Sequence, residues 1–382
     1  MSVAPWLLVS GDFTPFGGMD AANHALARYL AARGEVHLVT HRASADLVAL
    51  PAITVHRVWR PFDLDFLGGA LLARRGQEVW RQLAPRRVHA IVNGGNCHVI
   101  AANWVHYLHA AYLPMTAGSM VRRMKGRLAY RHDLAAELRA LHDAQVVVCN
   151  SRRTYEDVIA RAGVEPSRAH VVYYGCDPVR FSAVGAADRA AAKTALGVSP
   201  DRPLVGFVGA LGDRRKGFDT VFQTWVQLCR RRTWDADLIV VGFGAELPDW
   251  QRRAREAGLH DRIRFTGERR DMPDVFAALD SLVHPARYEA YGLSVHEAIC
   301  RGVPALVSAM AGVAEQYPQT LSELLIDNPD DPAELVDRLS RWRCDSERFR
   351  SLVVPLSEKL RARTWDQMAS EIAALVVGAG SP

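Results

Sequence analysis

The sequence predicts an α/β protein built from two doubly wound domains in tandem. Short β-branched apolar runs alternate with helical stretches from residue 6 to residue 151, and after a polar connection the same alternation restarts at residue 203. Size agrees: 382 residues with 49% hydrophobic and 23% charged content suit about two globular domains, each able to bury a core.

In the first half the strands are "WLLVSG" (6–11), "VHLVT" (36–40), "AIVNGG" (90–95) and "QVVVCNS" (145–151), with an amphipathic helix over Met19–Arg33 and a long helix near 119–142. A further run, "HVVYYGCDPVRF" (170–181), closes this domain, so the first domain is read as 1–181. The segment 182–202, rich in Ala, Asp and Pro, reads as a linker with one short helix. The second domain, 203–361, carries strands "PLVGFVGAL" (203–211), "ADLIVVGFG" (236–244), "IRFTG" (263–267), "SLVHPA" (281–286) and "PALVSA" (304–309), with helices between them. A last helix, 362–378, follows a break expected at Pro355. In such folds ligands bind outside the carboxyl ends of the strands, so with two facing sheets the site is expected in a cleft between domains.

Composition excludes several classes. No stretch approaches the roughly 18 apolar residues of a membrane span, and the N-terminus has neither a basic n-region nor a cleavage-like site, so a cytoplasmic chain is expected. The six cysteines, Cys97, Cys149, Cys176, Cys229, Cys300 and Cys344, show no CxxC spacing, which argues for reduced, buried thiols and against a zinc site or disulfide framework. The net charge of +5 favours acidic partners, but the basic residues are spread along the chain and form no nucleic-acid patch.

The stretch with most chemical content is "HPARYEAYGLSVHEAICRGVP" (284–304). A strand ends near Pro285, a loop carries Glu289, and a helix opens near Gly292 and closes at Gly302. The N–H groups of Gly292, Leu293 and Ser294 then form an anion seat at a helix N-terminus, flanked by the carboxylates of Glu289 and Glu297. Two solvated helix-face charges would also read this way, but the apolar Leu282, Val283, Val295, Ala298, Ile299, Val303, Ala305 and Leu306 make the unit interior-facing. In "GALGDRRKGFDT" (209–220) a basic turn presents Arg214, Arg215 and Lys216 before Gly217, a cluster suited to a phosphate group, although a basic turn can also be merely solvated. In "TPFGGMD" (14–20), Gly17 and Gly18 let backbone N–H groups approach a phosphate, although a plain tight turn has the same signature. "GFGAEL" (242–247) lacks the rest of a dinucleotide fingerprint, so Gly242 and Gly244 read as turn glycines. The basic helix at 120–144 mixes Met120, Met124, Leu128 and Leu134 with Arg122, Arg123, Lys125, Arg127 and Arg131, a pattern suited either to an acceptor-lining surface or to an anionic membrane.

Together these motifs resemble the GT-B retaining glycosyltransferases of family GT4, whose second domain carries two glutamates eight apart followed by A-x-x-x-G-x-P. Glu289, Glu297, Ala298, Gly302 and Pro304 stand in those positions. The resemblance extends to Gly17-Gly18, to a G-x-D…F run (Gly175, Asp177, Phe181), to the "RKG" turn, and to a tryptophan-led last helix (Trp365) that in the family crosses back to the first domain. The arginine usual after the first glycine of the donor turn is replaced by Ala210, which shifts its role to Arg215 and Lys216. The resemblance implies two Rossmann-like domains facing across a cleft. It implies transfer of a hexose-type sugar, with retention, from a nucleoside-diphosphate sugar to a glycan, lipid-linked or small-molecule acceptor. His109, with Arg215, Lys216 and Glu289, is then the catalytic set, and His109 fits the family's histidine near the donor sugar better than His106. The donor-binding set is Gly17, Gly18, Arg270, Tyr291, Gly292, Leu293 and Glu297. No cofactor or metal is expected: no obvious Asp-x-Asp pair is read, and neither histidine has carboxylate-rich company. A UDP- or GDP-sugar is the expected donor, nucleic acid is not an expected partner, and a peripheral place on the inner face of the membrane is the alternative use of the basic helix. A sugar-nucleotide epimerase or hydrolase and a non-catalytic nucleotide-sugar-binding module are the competing readings.

Overall fold

The computed structural model describes residues 4–61, 65–115, 120–212 and 214–379, leaving aside the side chains of 65–67 and 121–123. The chain gathers into two compact units. The first takes residues up to Leu113, Met120–Gly175 and the segment from Arg363 onward; the second is built on Cys176–Ala362.

In chain order the first unit holds β1 (Trp6–Val9), β2 (Asp12–Phe13), α1 (Gly18–Ala31), β3 (Val36–Thr40), β4 (Arg42–Ala43), α2 (Ala45–Val48), β5 (Ile53–Arg57), α3 (Asp65–Leu83), β6 (His89–Val92), β7 (Ala102–Val105), α4 (Met120–His142), β8 (Val146–Cys149), α5 (Arg152–Ala162) and β9 (Ala169–Val171). The second holds α6 (Ala186–Ala195), β10 (Leu204–Val208), α7 (Phe218–Cys229), β11 (Asp237–Val241), α8 (Leu247–Glu256), β12 (Ile263–Gly267), α9 (Met272–Ala278), β13 (Ser281–His284), α10 (Leu293–Cys300), β14 (Ala305–Ser308), β15 (Leu325–Ile326), α11 (Pro332–Cys344) and α12 (Ser346–Ala362). The closing helix α13 (Trp365–Ala379) returns to the first unit and packs on α1.

Seven strands of the first unit pair in the order β5-β3-β1-β6-β7-β8-β9 and six of the second in the order β12-β11-β10-β13-β14-β15, all parallel. Central strands such as β1, β8, β13 and β14 are buried along their whole length, as expected where helices cover both faces, and this is why they read as unbroken apolar runs. The strand order reverses between β1 and β6 in one sheet and between β10 and β13 in the other, the points at which open α/β sheets bind ligands.

Several elements differ from expectation. Helices α3, α5, α11 and α12 and strand β5 were not read from the sequence. Pro355 does not end a helix; it lies inside α12, on an exposed face where the carbonyl it leaves unbonded meets water, while Val353, Leu356 and Leu360 pack on either side. The break before α13 falls instead at Arg363-Thr364. Residues 176–202, read as the end of the first domain and a linker, belong to the second unit: α6 buries Arg189 and Lys193, whose charges meet Asp280, Lys193 at 2.6 Å. Gly175 marks the change of unit because the backbone of Thr364 and Trp365 lies where its Cβ would be.

Candidate functional site

In the second unit the turn after β10 and the loop after β13 meet at the switch point. Arg287 ties them together, donating to Asp219 at 2.8 and 2.9 Å and, through its backbone N–H, to the Arg215 carbonyl at 2.8 Å. Gly217, at φ 74°, opens α7 with its α-carbon against the Pro285 carbonyl, an approach that a side chain would block. This close fit brings the Lys216 ammonium onto Glu289 Oε2. The same oxygen lies 2.9 Å from Nε2 of the fully buried His284, and Arg215 donates to the Tyr288 carbonyl at 3.3 Å. Burial alone would raise the Glu289 carboxyl; Lys216, the bond from His284 and Arg215 outweigh it and hold the group well below the usual carboxylate range. Burial pushes His284 down against the opposing pull of Glu289, which favours a neutral imidazole.

Gly292 caps α10 at φ 109°, and a Cβ there would stand 3.0 Å from Val313 and 3.3 Å from the Glu289 side chain. The glycine thus lets the Glu289 loop lie directly against the helix N-terminus, where the N–H groups of Leu293 and Ser294 have no carbonyl four residues back. Glu297, one turn into α10, is half-buried; burial pushes its carboxyl up to about 8, with Arg180 partly offsetting this. The Tyr291 ring is buried and its hydroxyl bonds His296 Nδ1 at 2.7 Å, so Tyr291 orders the helix from within. Arg270 is exposed on the loop after β12. Gly242 and Gly244 do more than turn the chain: at φ 146° and 156° they bring the chain against the carbonyls of Gly209 and Leu211, supporting the turn after β10.

The first unit has its own crevice, a cavity of about 750 Å³ at the carboxyl ends of β1 and β6. Gly11, Asp12, Asp20, Arg60, Gly95 and His109 are among its walls. His109 donates from Nδ1 to Glu137 Oε1 at 2.9 Å, while its backbone N–H donates to Oε2 of the same buried carboxylate. Burial would lower this imidazole, but Glu137 raises it, and the net shift is upward. His106 is different: buried on the Tyr174 hydroxyl, it is pushed down to about 3 by burial and is a neutral structural residue. Asp12 is held by Arg42 at 2.6 Å and Arg60 at 3.0 Å, and Asp20 is pushed up to about 7 by burial and then by Asp12. Gly17, at φ 83°, caps α1; nothing crowds Gly18.

Sequence reasoning passed over His284, Glu137 and Asp20. The signal was available for His284, a titratable residue at the carboxyl end of a switch-point strand. Two Asp-x-Asp triplets were also passed over. Asp235 and Asp237 are engaged by Arg343 and Arg262 at the amino end of β11, away from the crevice. Of Asp63-Leu64-Asp65, the first two lie outside the described residues and the third opens α3.

Two parallel-sheet units, each with a reversal of strand order, have the GT-B architecture. Residues 16–180 match the model described as Glycosyltransferase Family 4 and residues 202–345 that of Glycosyl transferases group 1. The chain belongs to this family. Among curated relatives, the lipopolysaccharide core biosynthesis mannosyltransferase LpsB of Rhizobium meliloti (strain 1021) is 34% identical over 47% of this chain and 52% of its own length. A D-inositol 3-phosphate glycosyltransferase of Xylanimonas cellulosilytica is 27% identical over 93% and 90%, and a 2-deoxystreptamine N-acetyl-D-glucosaminyltransferase of Streptomyces fradiae 29% over 92% and 88%. Among solved structures, WaaG, a glycosyltransferase involved in lipopolysaccharide biosynthesis, superposes with a TM-score of 0.79 at 21% identity over 98% of this chain and 100% of its own. Anabaena Alr3699/HepE, solved in complex with UDP-glucose, gives 0.72 at 17% identity over 98% and 99%.

Proposed function

We propose that the chain is a metal-independent, retaining glycosyltransferase that moves a hexose-type sugar from a UDP- or GDP-sugar to a hydroxyl of a glycan, lipid-linked or small-molecule acceptor. The single observation that carries this reading is the Lys216–Glu289–His284 cluster beside the N-terminus of α10. A diphosphate seated on the Leu293 and Ser294 N–H groups finds Lys216 and Arg215 within the same two loops, so charge developing on the leaving phosphate meets cations already in place. Glu289, kept ionised by Lys216 and His284, stands beside that seat and offsets positive charge arising at the sugar ring. Glu297 holds the ribose hydroxyls, Tyr291 and Gly292 shape the seat, and Arg270 reaches the donor from the loop after β12. No protein nucleophile is needed if the departing phosphate takes the acceptor proton on the face it leaves.

The first unit's cavity takes the acceptor. Its polar walls, with Asp20 uncharged below about pH 7 and therefore able to donate a hydrogen bond, suit a hydroxyl-rich ring. His109, held by Glu137, supplies a further donor there, and the Gly17-Gly18 turn borders the cavity through Met19 and Asp20. The names of the relatives, which include mannosyl, inositol-phosphate and aminocyclitol transferases, support such acceptors. Contact with an anionic membrane is the second part of the proposal. Helix α4 exposes Met120, Met124 and Leu128 at four-residue spacing, at 76%, 58% and 60%, beside exposed Lys125, Arg127 and Arg131. The side chains of Arg122 and Arg123 lie outside the described residues, and no helix among the described residues is long and apolar enough to cross a membrane.

Proton NMR of the product's anomeric centre tests the reading: an α-linked UDP- or GDP-sugar yields an α-linked product. An inverted centre contradicts retention, and an altered sugar nucleotide without an acceptor product contradicts transfer in favour of epimerisation.

A further inference from the structure

Cys176, His296 and Cys300 lie 124 positions apart at their extremes, yet the fold brings one ligating atom from each within 4.8 Å of the others, all three residues buried. His296 and Cys300 are four apart on one face of α10, and Cys176 reaches them from the segment that opens the second unit. The absence of CxxC spacing therefore misleads here, because one helix turn and a distant loop supply the set.

The geometry points to a metal site of mixed sulfur and nitrogen ligands, a Zn²⁺ bound by Cys176 Sγ, Cys300 Sγ and an imidazole nitrogen of His296. Four physical arguments carry it. Zinc–sulfur bonds of about 2.3 Å and zinc–nitrogen bonds of about 2.0 Å at tetrahedral angles put donor atoms about 3.5–3.8 Å apart, so the cluster closes on the ion with a shift of about an ångström. The Tyr291 hydroxyl, 2.7 Å from Nδ1, fixes the ring, the kind of outer-shell bond that metal-bound histidines keep. The Cys300 backbone is clamped as well, its carbonyl accepting from Ser357 at 3.1 Å and from Arg361 at 2.5 Å. Finally, when both S–H bonds give way to S–Zn bonds, two protons leave to solvent and the dication is balanced by two thiolates. A monovalent Cu⁺ would leave a net negative charge in a buried place near Glu297. One coordination position remains for an oxygen donor. Bound zinc would pin α10, the helix that carries Glu297 and the anion seat, to the start of the second unit. The assignment does not depend on the proposed sugar transfer.

The test is the metal content of the full-length protein purified under reducing conditions without chelator. About one zinc per chain is expected, falling to background in Cys176→Ser and Cys300→Ser and unchanged in Cys344→Ser, which alters an exposed thiol. Tyr291→Phe keeps the ligands but loses the bond to His296, and is expected to weaken zinc by about 10–100-fold in competition with a chelator. Should the cysteine variants fail to fold, Co²⁺ added to the metal-free wild type decides, through the near-ultraviolet thiolate-to-cobalt band. Wild type that takes up neither Zn²⁺ nor Co²⁺, zinc that survives both cysteine substitutions, copper bound in preference to zinc, or a Cys176–Cys300 disulfide in the isolated protein would each overturn the assignment.

Discussion

Glu289 and Glu297 differ in their surroundings, and the difference sets what each can do. Glu289 is ionised, ringed by Lys216, His284 and Arg215, while Glu297 is half-buried and raised by burial, with Arg180 partly offsetting this. Glu289→Gln is expected to lower kcat by about 10²–10³, the cost of one oxyanion-type electrostatic partner, with donor Kd little changed. Glu297→Gln is expected to raise the donor KM more than it lowers kcat, because ribose contacts are shared by ground and transition states. Steady-state kinetics with a separate Kd measurement separates these outcomes, and matching behaviour of the two variants would refute the division. Lys216 touches Glu289, so their losses overlap: Lys216→Ala with Glu289→Gln should cost less than the two single changes summed. Asp20 gives a pH signature. Its carboxyl is raised from 3.8 to about 7, so between those values the folded chain holds a proton that the unfolded chain has lost, and stability falls as pH rises. Asp20→Asn removes the effect, and its Tm advantage over wild type should grow from pH 4 through pH 7; a constant difference across that window would contradict the assigned shift.

Elements place these residues, and their tolerance to change follows from backbone geometry. Gly292→Ala must accept φ 109° and a Cβ 3.0 Å from Val313, which costs on the order of 1–3 kcal/mol and pushes the Glu289 loop off the start of α10. Chemical denaturation should show that loss together with a weakened donor thermal shift; an unaffected donor shift would separate the helix N-terminus from the binding seat. For α4, binding to anionic vesicles should weaken with salt and with Lys125, Arg127 and Arg131 changed to Ser, and neutral vesicles should bind less. Vesicle binding that ignores both would leave the exposed Met120, Met124 and Leu128 unexplained by a membrane. At this scale the sequence was legible where burial is two-sided, as in β1, β8, β13 and β14, whose apolar runs have no other use. Helix α3 was not read from the sequence, and it contains three glycines, Gly68, Gly69 and Gly76. Gly76 serves contact, since a Cβ there would stand 2.7 Å from Cys97 and 3.2 Å from Val9, so glycine lets the helix lie close on β1. Pro355 misled, a local signal overridden by the packing of α12.

Over the whole molecule, the tandem α/β design and the glutamate loop were legible because each is written in contiguous residues. What was not legible joins distant segments: Lys216 on Glu289, Glu137 under His109, and the Cys176–His296–Cys300 group. Such clusters exist only once parallel strands have set their carboxyl ends side by side, which periodicity does not encode. The strand order reverses once in each sheet, and the donor is proposed for the second unit and the acceptor for the cavity of the first. The most direct measurement of this central claim is release of nucleoside diphosphate from a panel of UDP- and GDP-sugars, followed with and without an extract of candidate acceptors. Wild type should release it rapidly only when an acceptor is present, and Arg215→Ala with Lys216→Ala should slow that release by the equivalent of about 2–4 kcal/mol. Release independent of any acceptor, or a double variant as fast as wild type, would contradict the account.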